Sequence, residues 1–150
     1  MAADEAPAAR VLVRPLTLER LESAIRASWG RDTCDPSDQD SWSEEHPSTG
    51  QCAATAYVVN DLLGGKLLGA EVHHPDGSLQ GHHYWNLFEG GLEIDLTAEQ
   101  FCHGEVVQAP DVMDRIHAAP DPGAEHYLLL KARVVGRLAD DASGASAPGD

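Results

Sequence analysis

The chain has 150 residues, 25 Asp and Glu against 10 Lys and Arg, a formal net charge of −15 and 42% hydrophobic residues. That hydrophobic content suits one compact core and excludes a disordered polyelectrolyte. The negative charge argues against a nucleic-acid partner and against docking on an anionic membrane, since both depend on Lys and Arg.

No apolar run reaches the ~18–20 residues needed to span a bilayer, so no membrane association is expected. The start, Met1 to Pro7, lacks the basic and apolar parts of a signal peptide, which makes a cytoplasmic location the expectation. Three cysteines (Cys34, Cys52 and Cys102) are too few, and odd in number, for a disulfide framework. A free thiol with a chemical role is the alternative.

Residues 1–9 are Ala-rich and read as a disordered N-terminus. Residues 10–139 read as one α+β domain, and 140–150 as a disordered acidic tail. Val11 to Arg14, before Pro15, suits a short strand or an extended lead-in. Thr17 caps an amphipathic helix in which Leu18, Leu21, Ala24, Ile25 and Trp29 recur at helical spacing, and Gly30 closes it. Residues 31–50 form a long loop. Six acids lie between Asp32 and Glu45 with no Lys or Arg among them.

A second helix is expected from about Gln51 to Leu63. It is apolar almost all round, which points to a central, buried position. Lys66 to Val72 reads as a strand, His74 to Ser78 as a turn, and His82 to Phe88 as a second strand. Glu89-Gly90-Gly91 is a tight turn into a third strand, Leu92 to Leu96. Thr97-Ala98-Glu99-Gln100 has capping-box form and opens a short helix. Asp111 to Ala118 is a helix candidate. Residues 124–138 suit a closing helix, although Arg133, Val134 and Val135 would also suit a strand.

Cys52 stands in the first turn of the second helix. A helix N-terminus favours the thiolate, and its unpaired N–H groups can receive a developing oxyanion. The plainer reading is a small buried residue on an Ala-rich helix. A cysteine nucleophile needs a base, and the base needs an orienting group. A three-residue turn at Glu89-Gly90-Gly91 opposes residues whose numbers sum to 180. Trp85 then faces Asp95, and His83 lies diagonal to Asp95 on the same face of the sheet. A two-residue turn would pair Asp95 with His82 instead.

Gly50-Gln51-Cys52 opening an apolar helix resembles the active-site segment of transglutaminases. His83-Tyr84-Trp85 and Ile94-Asp95-Leu96-Thr97 resemble that superfamily's His-x-Trp and Asp-x-Thr segments, in the same order. More closely, four segments together resemble the YunG-like proteins, a small bacterial family. They are Ser28-Trp29-Gly30, Gly50 to Ala56, His83-Tyr84-Trp85-Asn86 and Asp95 to Phe101. The likeness covers roughly residues 20–105.

The resemblance implies an α+β fold with a papain-like or transglutaminase-like core. In it a nucleophile-bearing helix packs on a small antiparallel sheet, with Cys52 as nucleophile, His83 as base and Asp95 orienting the imidazole. Ala53 stands where transglutaminases carry Trp, and the chain is far shorter than the animal enzymes, so cross-linking is not implied.

Gln51 is a candidate oxyanion donor or a solvated helix start. Trp29, Trp42 and Trp85 are candidates to line or cover the cleft, although plain core or lid aromatics are the favoured reading of Trp29 and Trp42. The expected activity is cysteine-dependent acyl transfer or hydrolysis on an amide or ester, without a cofactor. The substrate is a small molecule or peptide, neutral or amine-bearing because of the acidic loop.

Two other readings come from different classes. One is a non-catalytic binding module with this fold. The other is a metal protein using His73-His74 and His82-His83, although adjacent strand residues point to opposite faces and no metal site is assigned. Cys102-His103, with Glu105 nearby, is the rival nucleophile–base pair, but sequence neighbours seldom turn their side chains toward each other. Cys34, among carboxylates, should have a raised pKa.

Overall fold

A computed structural model describes residues 15–114 and 124–144 of the chain. Over these described residues it is an α+β structure: three α-helices and a five-stranded, all-antiparallel sheet. Helix α1 is Leu18–Ser28. Its N-cap is Thr17, whose Oγ1 accepts the Arg20 N–H at 3.1 Å. Two 3₁₀ turns, Arg31–Thr33 and Pro36–Ser41, break up the long acidic loop. The Asp35 N–H donates to the Gly50 carbonyl at 2.8 Å and closes that loop on itself.

Gly50 then turns the chain into helix α2, Cys52–Leu63, with a left-handed φ of 68°. A Cβ built there would lie 2.5 Å from Cys34 Sγ and 2.8 Å from Asp38 Cβ. Glycine is therefore required twice over, for its backbone angle and for the close packing of the loop. Ala53 to Val59 are all buried, as expected of a helix without a polar face.

Strands β1 (Lys66–His73) and β2 (Leu79–Phe88) form a long hairpin. A second turn leads to β3, Leu92–Ile94. Phe88 pairs with Leu92, Leu87 with Glu93, and Asn86 with Ile94. This is the register expected of a three-residue turn, and Gly90 and Gly91 supply its positive φ angles, 79° and 83°. Pairing stops at Ile94 because the next residue is otherwise engaged: Asp95 Oδ1 takes the Thr97 N–H at 3.2 Å.

Two short strands, β4 (Val106–Val107) and β5 (Asp111–Met113), both pair with β1, on its other edge. The last helix, α3, is Glu125–Gly144. It packs against α1 and α2 through Tyr127, Leu130 and Val134, all buried at helical spacing. Tyr57, Val58, Leu21, Ile25, Leu67 and Tyr84 complete that core.

Several elements differ from expectation. Asp111–Met113 is a strand rather than the start of a helix, because β1 offers three residues an open edge; residues 115–118 lie outside the described residues. Strand β2 starts at Leu79, three residues early, with an irregularity opposite Val72 and His73. The Thr97–Gln100 segment is a single 3₁₀ turn, Ala98–Gln100, and Thr97 does not cap it.

Helix α3 runs into the segment expected to be a disordered tail, and Asp141 meets Arg20 at 3.3 Å. Residues 145–150, the N-terminal segment 1–9 and the lead-in Val11 to Arg14 lie outside the described residues. Among the described residues, no helix is long and apolar enough to cross a membrane.

Candidate active site

The site forms where α2 begins beside β2, beyond the end of β3. Cys52 is the first residue of α2, so its turn carries N–H groups with no acceptor inside the helix. Its Sγ lies 4.0 Å from the His82 carbonyl oxygen. The thiol opens on a cleft of about 290 Å³ whose lining includes Asp35, Asp38, Tyr84, Gln100 and Phe101. A larger surface groove, about 740 Å³ between α1 and α3, contains none of the candidate catalytic residues.

His83 is completely buried. Its ring stacks on Trp85, with centroids 5.2 Å apart and planes 22° from parallel, and meets Phe101 edge-on at 4.7 Å. Nε2 lies 2.7 Å from Asp95 Oδ2. The other carboxylate oxygen, Oδ1, takes the Thr97 N–H and is approached by the Thr97 hydroxyl at 3.5 Å. Both carboxylate oxygens are thus engaged, and the ring is held from one side.

On the other side, Nδ1 faces the Gln100 carboxamide at 3.4 Å, and Cys52 is close enough to act on the ring's charge. Burial alone would lower the His83 pKa. The hydrogen bond that Nε2 donates to Asp95, with the charges of Asp95 and Cys52, outweighs it and pushes it up to about 9. Asp95 at Nε2 thus strengthens the opposite nitrogen, Nδ1, as an acceptor for a second proton.

Cys52, His83 and Asp95, nominated from the sequence, are brought together. The nominated accessory residues are not. Gln51 is fully buried, and its carboxamide is committed at both ends: Oε1 accepts from the Thr33 hydroxyl at 2.9 Å, and Nε2 donates to the Gly30 carbonyl at 3.0 Å. It ties the helix start to the preceding loop and offers no N–H to the cleft.

Trp29 is in the core, its indole N–H on the Thr55 hydroxyl at 3.0 Å. Trp42 donates to the Pro47 carbonyl at 2.9 Å and lies under the Arg31 guanidinium, away from the thiol. Trp85 backs His83 instead of lining the cleft, and donates to Glu93 at 2.8 Å.

The residue missed from the sequence is Gln100. It sits on the 3₁₀ turn after β3 and joins three parts of the site. The Gly50 N–H can only donate, so it faces Oε1, at 3.2 Å. That fixes Nε2 toward the Thr97 hydroxyl, at 3.2 Å, and toward His83 Nδ1. The last position of Thr97-Ala98-Glu99-Gln100 was the available signal, but it was read as a capping residue.

The other thiols differ. Cys34 is buried and its pKa is pushed up to about 12, first by burial and then by Asp38 and Asp35. Cys102 does reach its neighbour, contrary to expectation: Sγ is 3.5 Å from His103 Nδ1. Both are exposed, and Glu105 receives the His103 backbone N–H at 2.7 Å, not its ring. Among the described residues, no three His, Cys, Asp or Glu side chains converge on a metal position. His73 is turned to Glu71, at 3.0 Å, and His83 to Asp95.

The sequence profile of the family described as YunG protein matches residues 17–139, which contain every residue of this site. The chain belongs to the YunG family. It is 32% identical over 84 residues to the uncharacterized protein YunG of Bacillus subtilis (strain 168), a match covering 56% of this chain and 63% of that protein. The match therefore spans less than two thirds of that relative's length. No solved structure matches the chain.

Proposed function

We propose that this YunG-family protein performs cysteine-dependent acyl transfer or hydrolysis on an amide or ester, through a thioester on Cys52. The observation that carries the reading is the buried His83, hydrogen-bonded through Nε2 to Asp95, with a thiol at a helix N-terminus close enough to raise its pKa. With Nε2–H on Asp95, the neutral ring presents the Nδ1 lone pair to sulfur, as a general base requires.

In the proposed reaction, Nδ1 takes the Cys52 proton. The thiolate attacks the carbonyl carbon, and the C=O π pair moves onto oxygen, near the N–H groups of the first turn of α2. Collapse expels an amine or alkoxide, which takes the proton from Nδ1. Water or an amine then attacks the thioester, giving its proton to Nδ1, and Cys52 is released. Asp95 stabilises the imidazolium throughout. No step needs a cofactor.

We read the core as papain-like or transglutaminase-like on the same grounds: nucleophile at the start of a helix, base and orienting acid on adjoining antiparallel strands. The substrate is a small molecule or peptide that is neutral or amine-bearing. Asp35 and Asp38 line the cleft beside the thiol, and the Asp38 carboxyl is pushed up by burial and by Asp35, a strain that an ammonium group would relieve.

The test uses p-nitrophenyl acetate as acyl donor and mass spectrometry as readout. A single acetyl group on Cys52, absent from Cys52→Ala and strongly reduced in His83→Ala, is expected. A wild-type protein that takes up no acetyl group, and whose Cys52 alkylates no faster than free cysteine, would overturn the reading.

A further inference from the structure

The proposed chemistry needs more than one donor for the oxyanion, and Gln51 does not reach it. We infer that the Gln100 carboxamide Nε2–H is the side-chain donor that stabilises the oxyanion formed on Cys52, so that Gln100 is a catalytic residue of this site. The inference rests on the acyl-transfer reading above.

Three observations carry it. Gln100 lines the same cleft as Cys52, with the Gly50 and Ala53 segments on either side of the thiol. Its orientation is set: Oε1 accepts the Gly50 N–H at 3.2 Å, which leaves Nε2 as the end facing the reacting groups. Nε2 has two hydrogens, and only one has a lasting acceptor, the Thr97 hydroxyl at 3.2 Å. The other points at His83 Nδ1 across a long 3.4 Å.

That second contact exists only while Nδ1 has a lone pair. When Nδ1 takes the thiol proton, two N–H groups face each other and the contact turns repulsive. The Gln100 N–H is released at the moment that negative charge appears on sulfur and then on the carbonyl oxygen. A donor without a committed acceptor, already held in place, stabilises charge at little reorganisation cost.

The sheet and the first turn of α2 thus supply complementary parts. The Cys52 backbone N–H is one donor and Gln100 the other. Thr97 joins the two halves, since its hydroxyl accepts from Gln100 and approaches Asp95.

The test compares two reactions of Cys52. Alkylation by iodoacetamide is a displacement at carbon and forms no oxyanion. Acetylation by p-nitrophenyl acetate forms one. Gln100→Glu keeps an oxygen for the Gly50 N–H and removes the donor, while Gln100→Ala removes both. Loss of one oxyanion donor should slow acetylation of Gln100→Glu by about 10²-fold. Iodoacetamide alkylation should stay at or above the wild-type rate, and Gln100→Ala should show the same split.

Equal falls in both reactions would overturn the inference, because Gln100 would then only position the thiol and ring. No fall in either reaction would overturn it too. In both cases wild-type acetylation stands, and with it the acyl-transfer reading. Wild-type protein that alkylates rapidly but never acetylates would instead overturn that reading, and this inference with it.

Discussion

Two groups of cysteine, histidine and acid occur in this chain, and they are built differently. Cys52, His83 and Asp95 come from a helix start, a central strand and the end of an edge strand. Cys102, His103 and Glu105 come from four consecutive residues of one exposed loop. Both place a sulfur near an imidazole. Only the first buries the imidazole, backs it with aromatic rings and puts the acid on its far nitrogen. In the second, the acid is used on the backbone and solvent reaches every group. Residue types alone do not make a thiol nucleophilic. What counts is a buried imidazole that cannot turn away and a carboxylate fixed on its far nitrogen.

The sharpest way to break this comparison is to remove each base in turn. His83→Ala should lower acetylation of Cys52 at neutral pH by about 10²–10⁴-fold, the usual contribution of a general base. His103→Ala should leave it unchanged. Acetylation followed by peptide mapping checks both. Equal losses from the two variants, or acetyl groups arriving first on Cys102, would invert the assignment.

The next prediction concerns the acid. Asp95 raises the His83 pKa, so Asp95→Asn should bring it down from about 9. The imidazole signals of wild-type and variant protein, followed by NMR against pH, measure this directly. The sign for stability follows. A folded-state pKa raised above the ordinary histidine value of 6.5 adds stability that is complete below 6.5 and is lost as pH rises through 9. The stability difference between wild type and Asp95→Asn should therefore be larger at pH 6 than at pH 9.5. An unchanged His83 titration in the variant would remove Asp95 from the site.

The contrast between the two groups also separates what the sequence discloses from what it does not. The pairing of His83 with Asp95 was legible because it depends on one local quantity, the length of the Glu89-Gly90-Gly91 turn. Two glycines with positive φ allow three residues there, and side-chain alternation does the rest. Helix α2 was legible because an apolar run ending in glycines has few other uses.

Gln51 was misjudged for a reason of rotation. Neighbouring helix-start residues are turned about 100° apart. The step that aims Cys52 at the cleft aims Gln51 inward, onto Thr33 and Gly30. Gln100 was not legible, because its place depends on how a 3₁₀ turn returns the chain to Gly50, fifty residues earlier. Strand β5 was hidden too, since three residues have no period and pair only because β1 has a free edge.

Gln51 provides a smaller test, on stability rather than chemistry. Gln51→Ala removes two buried hydrogen bonds and leaves the Thr33 hydroxyl and the Gly30 carbonyl to each other, 3.0 Å apart, at a cost of about 1–3 kcal/mol. Denaturant unfolding measures it. Once corrected for the folded fraction, the acetylation rate should match wild type, because the carboxamide does not face the thiol. A loss of acetylation in fully folded Gln51→Ala would return Gln51 to the oxyanion and displace Gln100.

The smallest expected effect is at Glu105. Its carboxylate accepts the His103 backbone N–H; burial pushes its pKa up, but backbone hydrogen bonds and the His103 and His74 charges together outweigh that and lower it. Glu105→Gln keeps an oxygen for that N–H, so the loop should hold its shape. The iodoacetamide rate at Cys102 should change little, because the Glu105 carboxylate bonds the His103 backbone and not its ring, and both are open to solvent. The matching replacement in the other group, Asp95→Asn, should change the pH dependence of Cys52 alkylation. A carboxylate therefore matters to a thiol here only when an imidazole lies between them, and side-by-side pH–rate profiles of the two cysteines in these two variants would show whether that holds.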